Sequence, residues 1–306
     1  MSLYSCETQQ LQLEPCRLPK MRFGCQLPQD LDDFDRLVDV AKNCERLGYD
    51  SLWTYDHLSP FWSRSGRGLE CWTTLSAIAG RTETVKVGSL VTNIALRNPS
   101  LLAKMSSTVD NISGGRLILG LGTGDKLSRK ELNSYGYGFP GLDERMERLK
   151  ESILILKALW TKNEVTFQGK YYRITKAVNV PKPKQRPHPP IWIGGKHLRI
   201  LDIVAEFADG WNHWGLRKDE LERRSSYLAK KCAEFGRNPR SIVKSWSGTY
   251  RQLAQPTRNY SELVEKMSRN LRDQTDPETS YFIACFDSRA EQESYQAFAD
   301  AVKSLD

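Results

Sequence analysis

The chain has 306 residues, 39% of them hydrophobic, which suffices for one large core. Its formal charge of +8 is interleaved with acidic residues and accompanied by no zinc-finger, homeodomain or RNA-binding signature, which points away from nucleic acid and leaves room for an anionic small ligand. Seven cysteines without a Cys-x-x-Cys pair argue against a zinc or thioredoxin-type site and fit reduced thiols in a cytoplasm, and no apolar run reaches the roughly 18 residues of a membrane helix.

Residues 1–20 are polar and unpatterned. They read as a flexible tail, or as the product of an upstream start, ahead of a domain over 21–306. A strand is predicted over 21–28. A helix over 31–47 follows, with Leu31, Phe34, Leu37, Val38, Ala41 and Cys44 at helical spacing and Gly48 as its stop. Strand two covers 51–56, a helix 72–81 and strand three 85–92. Pro99 suits the first turn of a helix running to 112. Ser113-Gly-Gly115 turns into strand four at 117–122, and a long amphipathic helix covers 142–160.

The alternation then breaks. Residues 164–174 alternate like a small hairpin, and Pro181 to Pro190 is too proline-rich for a helix or central strand. Strands five to eight are predicted at 191–195, 209–214, 242–253 and 281–286, and helices at 197–207, 219–235, 260–272 and 289–305. Eight strand–helix pairs predict an α/β fold: a single (β/α)8 TIM barrel with an inserted hairpin and Pro-rich excursion between strands four and five. The excursion and the loop over 58–70 are expected to shape a substrate pocket.

Three successive strands end alike. Strand two closes on Tyr55-Asp56-His57, strand three on Thr92-Asn93 and strand four on Gly120-Leu-Gly-Thr-Gly-Asp125. In a parallel barrel that end is where ligands bind. A histidine, with an ordinary pKa of about 6.5, can trade a proton at neutral pH, so His57 is the first candidate for proton handling. Its plainer reading is a strand-end cap. Ile193-Gly-Gly195-Lys196 precedes a helix, and glycine amides, a helix N-terminus and a lysine together favour a phosphate. The alternative is a glycine turn that the connection itself requires. Trp53 reads as core, Trp62 as loop packing or a substrate wall, His188 and His197 as structural or exposed. No metal is expected, because no His, Asp or Glu cluster has ligand spacing.

In order and spacing, several motifs carry a resemblance. They are Gly48-Tyr-Asp-Ser-Leu-Trp53 with Asp56-His57, Glu70-Cys-Trp-Thr-Thr74, Asn98-Pro99 with Lys104, Ile112-Ser-Gly-Gly-Arg116, Leu119-Gly-Leu-Gly122, Pro189-Pro-Ile-Trp-Ile-Gly-Gly195 and Ala208-Asp-Gly-Trp211. The chain from Met21 onward resembles the bacterial luciferase-like superfamily, in its coenzyme F420 (deazaflavin)-dependent oxidoreductase branch.

The resemblance implies hydride transfer between F420 and a small organic substrate, with His57 on the proton and Asp56 orienting it or the ring. Asp125 is a possible second acid, at the position of a catalytic glutamate in a sugar-phosphate dehydrogenase of the branch. Ser128 stands where that enzyme has asparagine. No histidine follows His213, and sugar phosphate is therefore not the expected substrate. Relatives have a strand-three bulge with a non-proline cis peptide, which places Ser89, Leu90 and Thr92 behind the ring. Gly122, Thr123, Gly124 and Ser128 are the strand-four contacts with the cofactor, and Gly194, Gly195 and Lys196 the phosphate contacts. Trp62 and His213 are candidates for substrate contact. A homodimer packed through early helices is also implied.

Three other readings stay open. One is a flavin mononucleotide (FMN)-dependent monooxygenase served by a separate flavin reductase. The second is a flavin-binding barrel without catalysis. The third is a cofactor-free barrel hydrolase, disfavoured because Asp56 and Asp125 are the only clear carboxylates at strand ends.

Overall fold

The computed structural model describes residues 21–31, 33–60, 66–250, 259–274, 278–286 and 288–305. The predicted tail over 1–20, Trp62 and the last residues of predicted strand seven (251–253) lie outside them. The first third alternates β1 (Arg22–Gln26), α1 (Phe34–Arg46), β2 (Ser51–Thr54), α2 (Cys71–Ala79), β3 (Lys86–Ser89), β4 (Thr92–Asn93) and α3 (Pro99–Ile112). Next come β5 (Leu117–Gly122), α4 (Lys126–Ser134), α5 (Leu142–Thr161) and the antiparallel hairpin of β6 (Val165–Gln168) and β7 (Arg173–Ala177). The remainder is β8 (Ile191–Gly194), α6 (Leu198–Phe207), β9 (Gly210–Trp214), α7 (Lys218–Glu234), β10 (Val243–Thr249), α8 (Tyr260–Gln274), β11 (Tyr281–Cys285) and α9 (Gln292–Lys303).

Local chemistry sets these elements. Asp33 caps α1 by accepting from the Asp35 amide at 2.9 Å, Leu37, Val38, Ala41 and Cys44 face the core, and Gly48 takes φ +84° past its end. Asn98 caps α3, with Pro99 in its first turn.

All barrel pairings are parallel, and the sheet closes in the order β3-β2-β1-β11-β10-β9-β8-β5, with β3 returning to β5. β3 and β4 form one barrel strand, interrupted at Leu90–Val91, whose peptide bond is cis. The predicted fold is therefore the observed one, an eight-stranded closed barrel ringed by helices. The cis bond lies one position beyond the expected Ser89–Leu90.

Two apolar zones follow from the two faces of each strand. The larger lies between strands and helices. The smaller fills the lower lumen with Trp53, Ile118, Trp192, Tyr281 and Ile283. There Ser51 Oγ accepts from Trp53 Nε1 at 2.6 Å and from the Tyr281 hydroxyl at 2.7 Å, so neither buried polar tip is orphaned.

One expectation is corrected, and one element has no counterpart in the predicted set. The Pro-rich excursion does not reach the mouth. It packs along α3 and the α3–β5 turn, where Gln185 Nε2 donates to Asp110 Oδ1 (2.6 Å) and Asn111 Nδ2 to the Lys182 carbonyl (2.8 Å). The nine-residue α4 was also not foreseen, and it matters most for the site.

Candidate active site

The polar residues of the mouth sit on strand ends, and their partners are mostly one another. His57 follows β2. Its Nδ1 lies 2.6 Å from Glu131 Oε2 on α4, and its side chain is 19% exposed. The other oxygen of Glu131 accepts from the Leu58 amide and, at 2.8 Å, from the Ser59 amide. Burial alone would raise the Glu131 carboxyl, but the His57 bond and these amides outweigh it and hold it below the usual range. A carboxylate there assigns the Nδ1 proton and holds the ring in one orientation.

Asp56 plays a different part from the one expected of it. Its buried carboxylate accepts from Arg97 Nη1 (2.5 Å), Arg97 Nη2 (3.0 Å) and the Asn93 amide (2.9 Å). Arg97 also reaches Glu70 at 2.5 Å, the residue that caps α2. Burial pushes the Asp56 carboxyl up, and Arg97 and Asn93 pull it only part of the way back. Desolvation weakens Arg97, but its bonds to Asp56 more than compensate and hold it above its ordinary value. Asp56 thus ties the end of strand two to strand three and α2, and the carboxylate on His57 belongs to Glu131.

Asp125 caps α4. Its Oδ1 accepts from the Leu127 amide, the Ser128 amide (both 2.9 Å) and the Ser128 hydroxyl (3.0 Å). Asp125 and Ser128 therefore build the helix that carries Glu131.

The strand-three residues divide. Trp72 Nε1 donates to Thr92 Oγ1 (3.2 Å), Thr92 to Ser89 Oγ (2.8 Å) and Ser89 to the Gly120 carbonyl (2.9 Å). Both hydroxyls are fully buried and committed within the wall. Leu90 and Val91 keep partial exposure at the top of the lumen, Leu90 against its lower aromatic layer.

The glycines, read from sequence as room for a ligand, first make room for Val91. A Cβ at Gly194 would lie 2.8 Å from Val91 Cγ1, one at Gly122 would be closer still to Cγ2, and one at Gly120 would strike the Ser89 carbonyl. Gly124, at φ +70°, turns the chain out of β5, and its carbonyl accepts from Arg145 Nη1 at 2.6 Å.

The phosphate loop is reduced. The Gly195 amide donates to the Asn212 carbonyl (3.0 Å), and His197 caps α6 through the Arg199 amide (3.3 Å), so exposed Lys196 is the candidate left there. His213 is displaced from the mouth. It is fully buried, 5.2 Å from Trp211 between ring centroids, on the strand face turned to the helices, while Asn212 and Trp214 share the lumen side. Asn212 bonds Ser245 Oγ at 3.0 Å and accepts from Ser247 Oγ at 3.1 Å.

A hollow of about 480 Å3 opens at the opposite end of the barrel, among Arg22, Asp50, Lys86 and Asp209. Asp50 and Asp209 there accept from the Phe23 and Ile191 amides, closing the bottom of the barrel. Among the described residues no group of three or more His, Cys, Asp or Glu is placed to hold a metal ion.

A closed (β/α)8 barrel whose C-terminal mouth carries a carboxylate-held histidine defines the general class, a barrel with its ligand end at the strand C-termini. More particularly, the model of the luciferase-like monooxygenase family matches residues 20–299, and the chain belongs to that family. It is 34% identical over 194 residues to an F420-dependent glucose-6-phosphate dehydrogenase of Nakamurella multipartita, covering 63% of this chain and 56% of that protein. It is 28% identical over 211 residues to an F420-dependent hydroxymycolic acid dehydrogenase of Mycobacterium tuberculosis, covering 69% and 57%. The chain thus spans little more than half the length of these relatives. Among solved structures, an F420-dependent secondary alcohol dehydrogenase in complex with an F420-acetone adduct shares the fold, with a TM-score of 0.79 over 92% of this chain and 98% of that one at 16% identity.

Proposed function

We propose that the chain is an F420-dependent oxidoreductase that exchanges a hydride with a small organic molecule at the barrel mouth, with His57 giving or taking the proton. The carrying observation is the His57–Glu131 pair, which fixes the ring and assigns its Nδ1 proton. The F420-dependent sequence relatives support a deazaflavin rather than FMN. On that reading no flavin reductase is needed.

The donor set suits such a cofactor. Leu90 and Val91 offer an apolar shelf to a planar ring, Gly122 and Gly124 keep side chains off the strand end beside it, and Lys196 offers a cation to a phosphate. When bound, F420 supplies or receives two electrons as hydride. The chain's own residues bind, orient, exclude water and move one proton. Asp56 and Asp125 act as positioning residues, through Arg97 and through the first turn of α4.

The test compares wild type with His57→Ala, following the deazaflavin absorbance with ketones, secondary alcohols and enones. A fall in turnover of about 100- to 10,000-fold, with F420 affinity little changed, supports the role. Undiminished turnover removes His57 from the mechanism.

Four buried cysteines among the described residues, Cys25, Cys44, Cys71 and Cys232, are in no disulfide and support a cytoplasmic setting, and among those residues no helix is long and apolar enough to cross a membrane. Exposed Leu101 and Ile112 align on one face of α3 and support a homodimer through that helix. A monomeric mass by analytical ultracentrifugation would refute the dimer.

A further inference from the structure

α4 does more than carry Glu131. Residues 127 and 131 are one turn apart and share a helix face. Glu131 is pinned to His57, so the same face sets Leu127 at the mouth beside it. Leu127 is nonetheless 56% exposed, an apolar side chain left in water next to the candidate reacting centre. Lys126 and Lys130 lie on the adjacent stripe, turned by about 100°.

A second such residue comes from another strand. Trp192 fills the lumen and pairs with Gly210, so Gly210, Asn212 and Trp214 share the lumen side of β9. Trp214 is the last of them, at the rim, and is 49% exposed. β5, which leads into Leu127, and β9 are separated only by β8, about 10 Å at ordinary strand spacing. The polar groups of the same stretch, Asp125 Oδ1 and the Ser128 hydroxyl, are bonded to each other and to the turn they cap.

We propose that the substrate carries an alkyl or aryl group beside its reacting carbon, and that Leu127 and Trp214 select it. This rests on the mouth being the reaction site.

The test uses methyl ketones from acetone to 2-octanone, with glucose 6-phosphate as the polar comparison, on wild type, Leu127→Ser and Trp214→Ala. Leu127 is exposed, so its replacement leaves the fold intact, which a melting curve checks. Burial of each added methylene is worth about fourfold, so kcat/KM in the wild type rises by about that factor per carbon. Leu127→Ser flattens the slope, lowering 2-octanone about tenfold while acetone and F420 affinity change far less. Dissociation constants for the same ketones on F420-loaded protein follow the same slope. A flat series in either readout, or glucose 6-phosphate used better than every ketone, overturns the proposal. Failure of the wild type to bind F420 is a separate result that overturns the parent reading, and the ketone slope measured without cofactor then still decides whether the lip is apolar.

Discussion

The lower and upper halves of the barrel lumen are built on opposite plans. Below, Trp53, Trp192, Tyr281 and Ile283 fill the space, with ring centroids of Trp53 and Trp192 5.0 Å apart and Tyr281 edge-on to Trp192 at 5.1 Å. Above, the lumen side is small and polar, with Asn93, Gly120, Gly122, Gly194, Asn212 and Ser247, while Ser89 and Thr92 brace it from the helix side, and the hydrogen bonds stay within the wall. The lower half uses volume for stability. The upper half gives volume up, and hydrogen bonds and the ion pairs of Arg97 with Asp56 and Glu70 hold it in shape instead. A mouth can accept a ligand only if it does not fill itself, so its rigidity has to come from its polar network.

The sharpest break in that contrast is at Asp56–Arg97. Removing one partner of a buried pair costs about 3–5 kcal/mol, because the other charge is stranded. Asp56→Ala should therefore lower the unfolding free energy in denaturant melts by about that amount, far more than any single exposed ion pair on the outer helices. A loss below about 1 kcal/mol would mean that the mouth does not depend on this pair.

Next in size is Glu131→Gln, which keeps the shape and removes the carboxylate charge beside His57. Hydrogen bonds to charged groups contribute about 1.5–3 kcal/mol, so F420-linked turnover should fall about 10- to 100-fold, with a shifted pH profile and a melting curve at neutral pH only slightly lowered. An unmoved pH profile would reduce Glu131 to a loop fastener. Gly122→Ala sets a methyl against Val91 and should cost about 1–3 kcal/mol, and Val91→Ala in the same chain should recover part of it. Additive costs in that cycle would break the claim that these glycines serve the bulge.

The smallest effect is in pH. The folded Glu131 carboxyl titrates below its unfolded range, so its contribution is complete above the ordinary carboxylate pKa and is lost as pH falls through the lowered folded value. Wild type should lose slightly more stability than Glu131→Gln across that acid interval, and parallel acid melts of the two would contradict it.

The sequence made the frame legible wherever a pattern and a punctuating residue agreed. Strand four and α3 occupy the predicted spans, because Ser113-Gly-Gly115 and Asn98-Pro99 mark their ends. α4 escaped because it has no apolar stripe: Leu127 is exposed, and Leu132 and Ser128 are its only buried residues. Its signal is the capping pair Asp125-x-x-Ser128, to which the family resemblance assigns an acid and a cofactor contact, and without α4 nothing in the sequence brings Glu131 to His57. His213 misled for a reason of parity. Trp211 and His213 alternate with Asn212 and Trp214, and which pair faces the lumen is decided by neighbouring strands.

The central claim, that this mouth receives a deazaflavin, is tested most directly by titrating the purified chain with F420 and with FMN and following tryptophan fluorescence. The account predicts selective, saturable quenching by F420 in the micromolar range. Selective binding of FMN would contradict it and move the chain to the monooxygenases of its family.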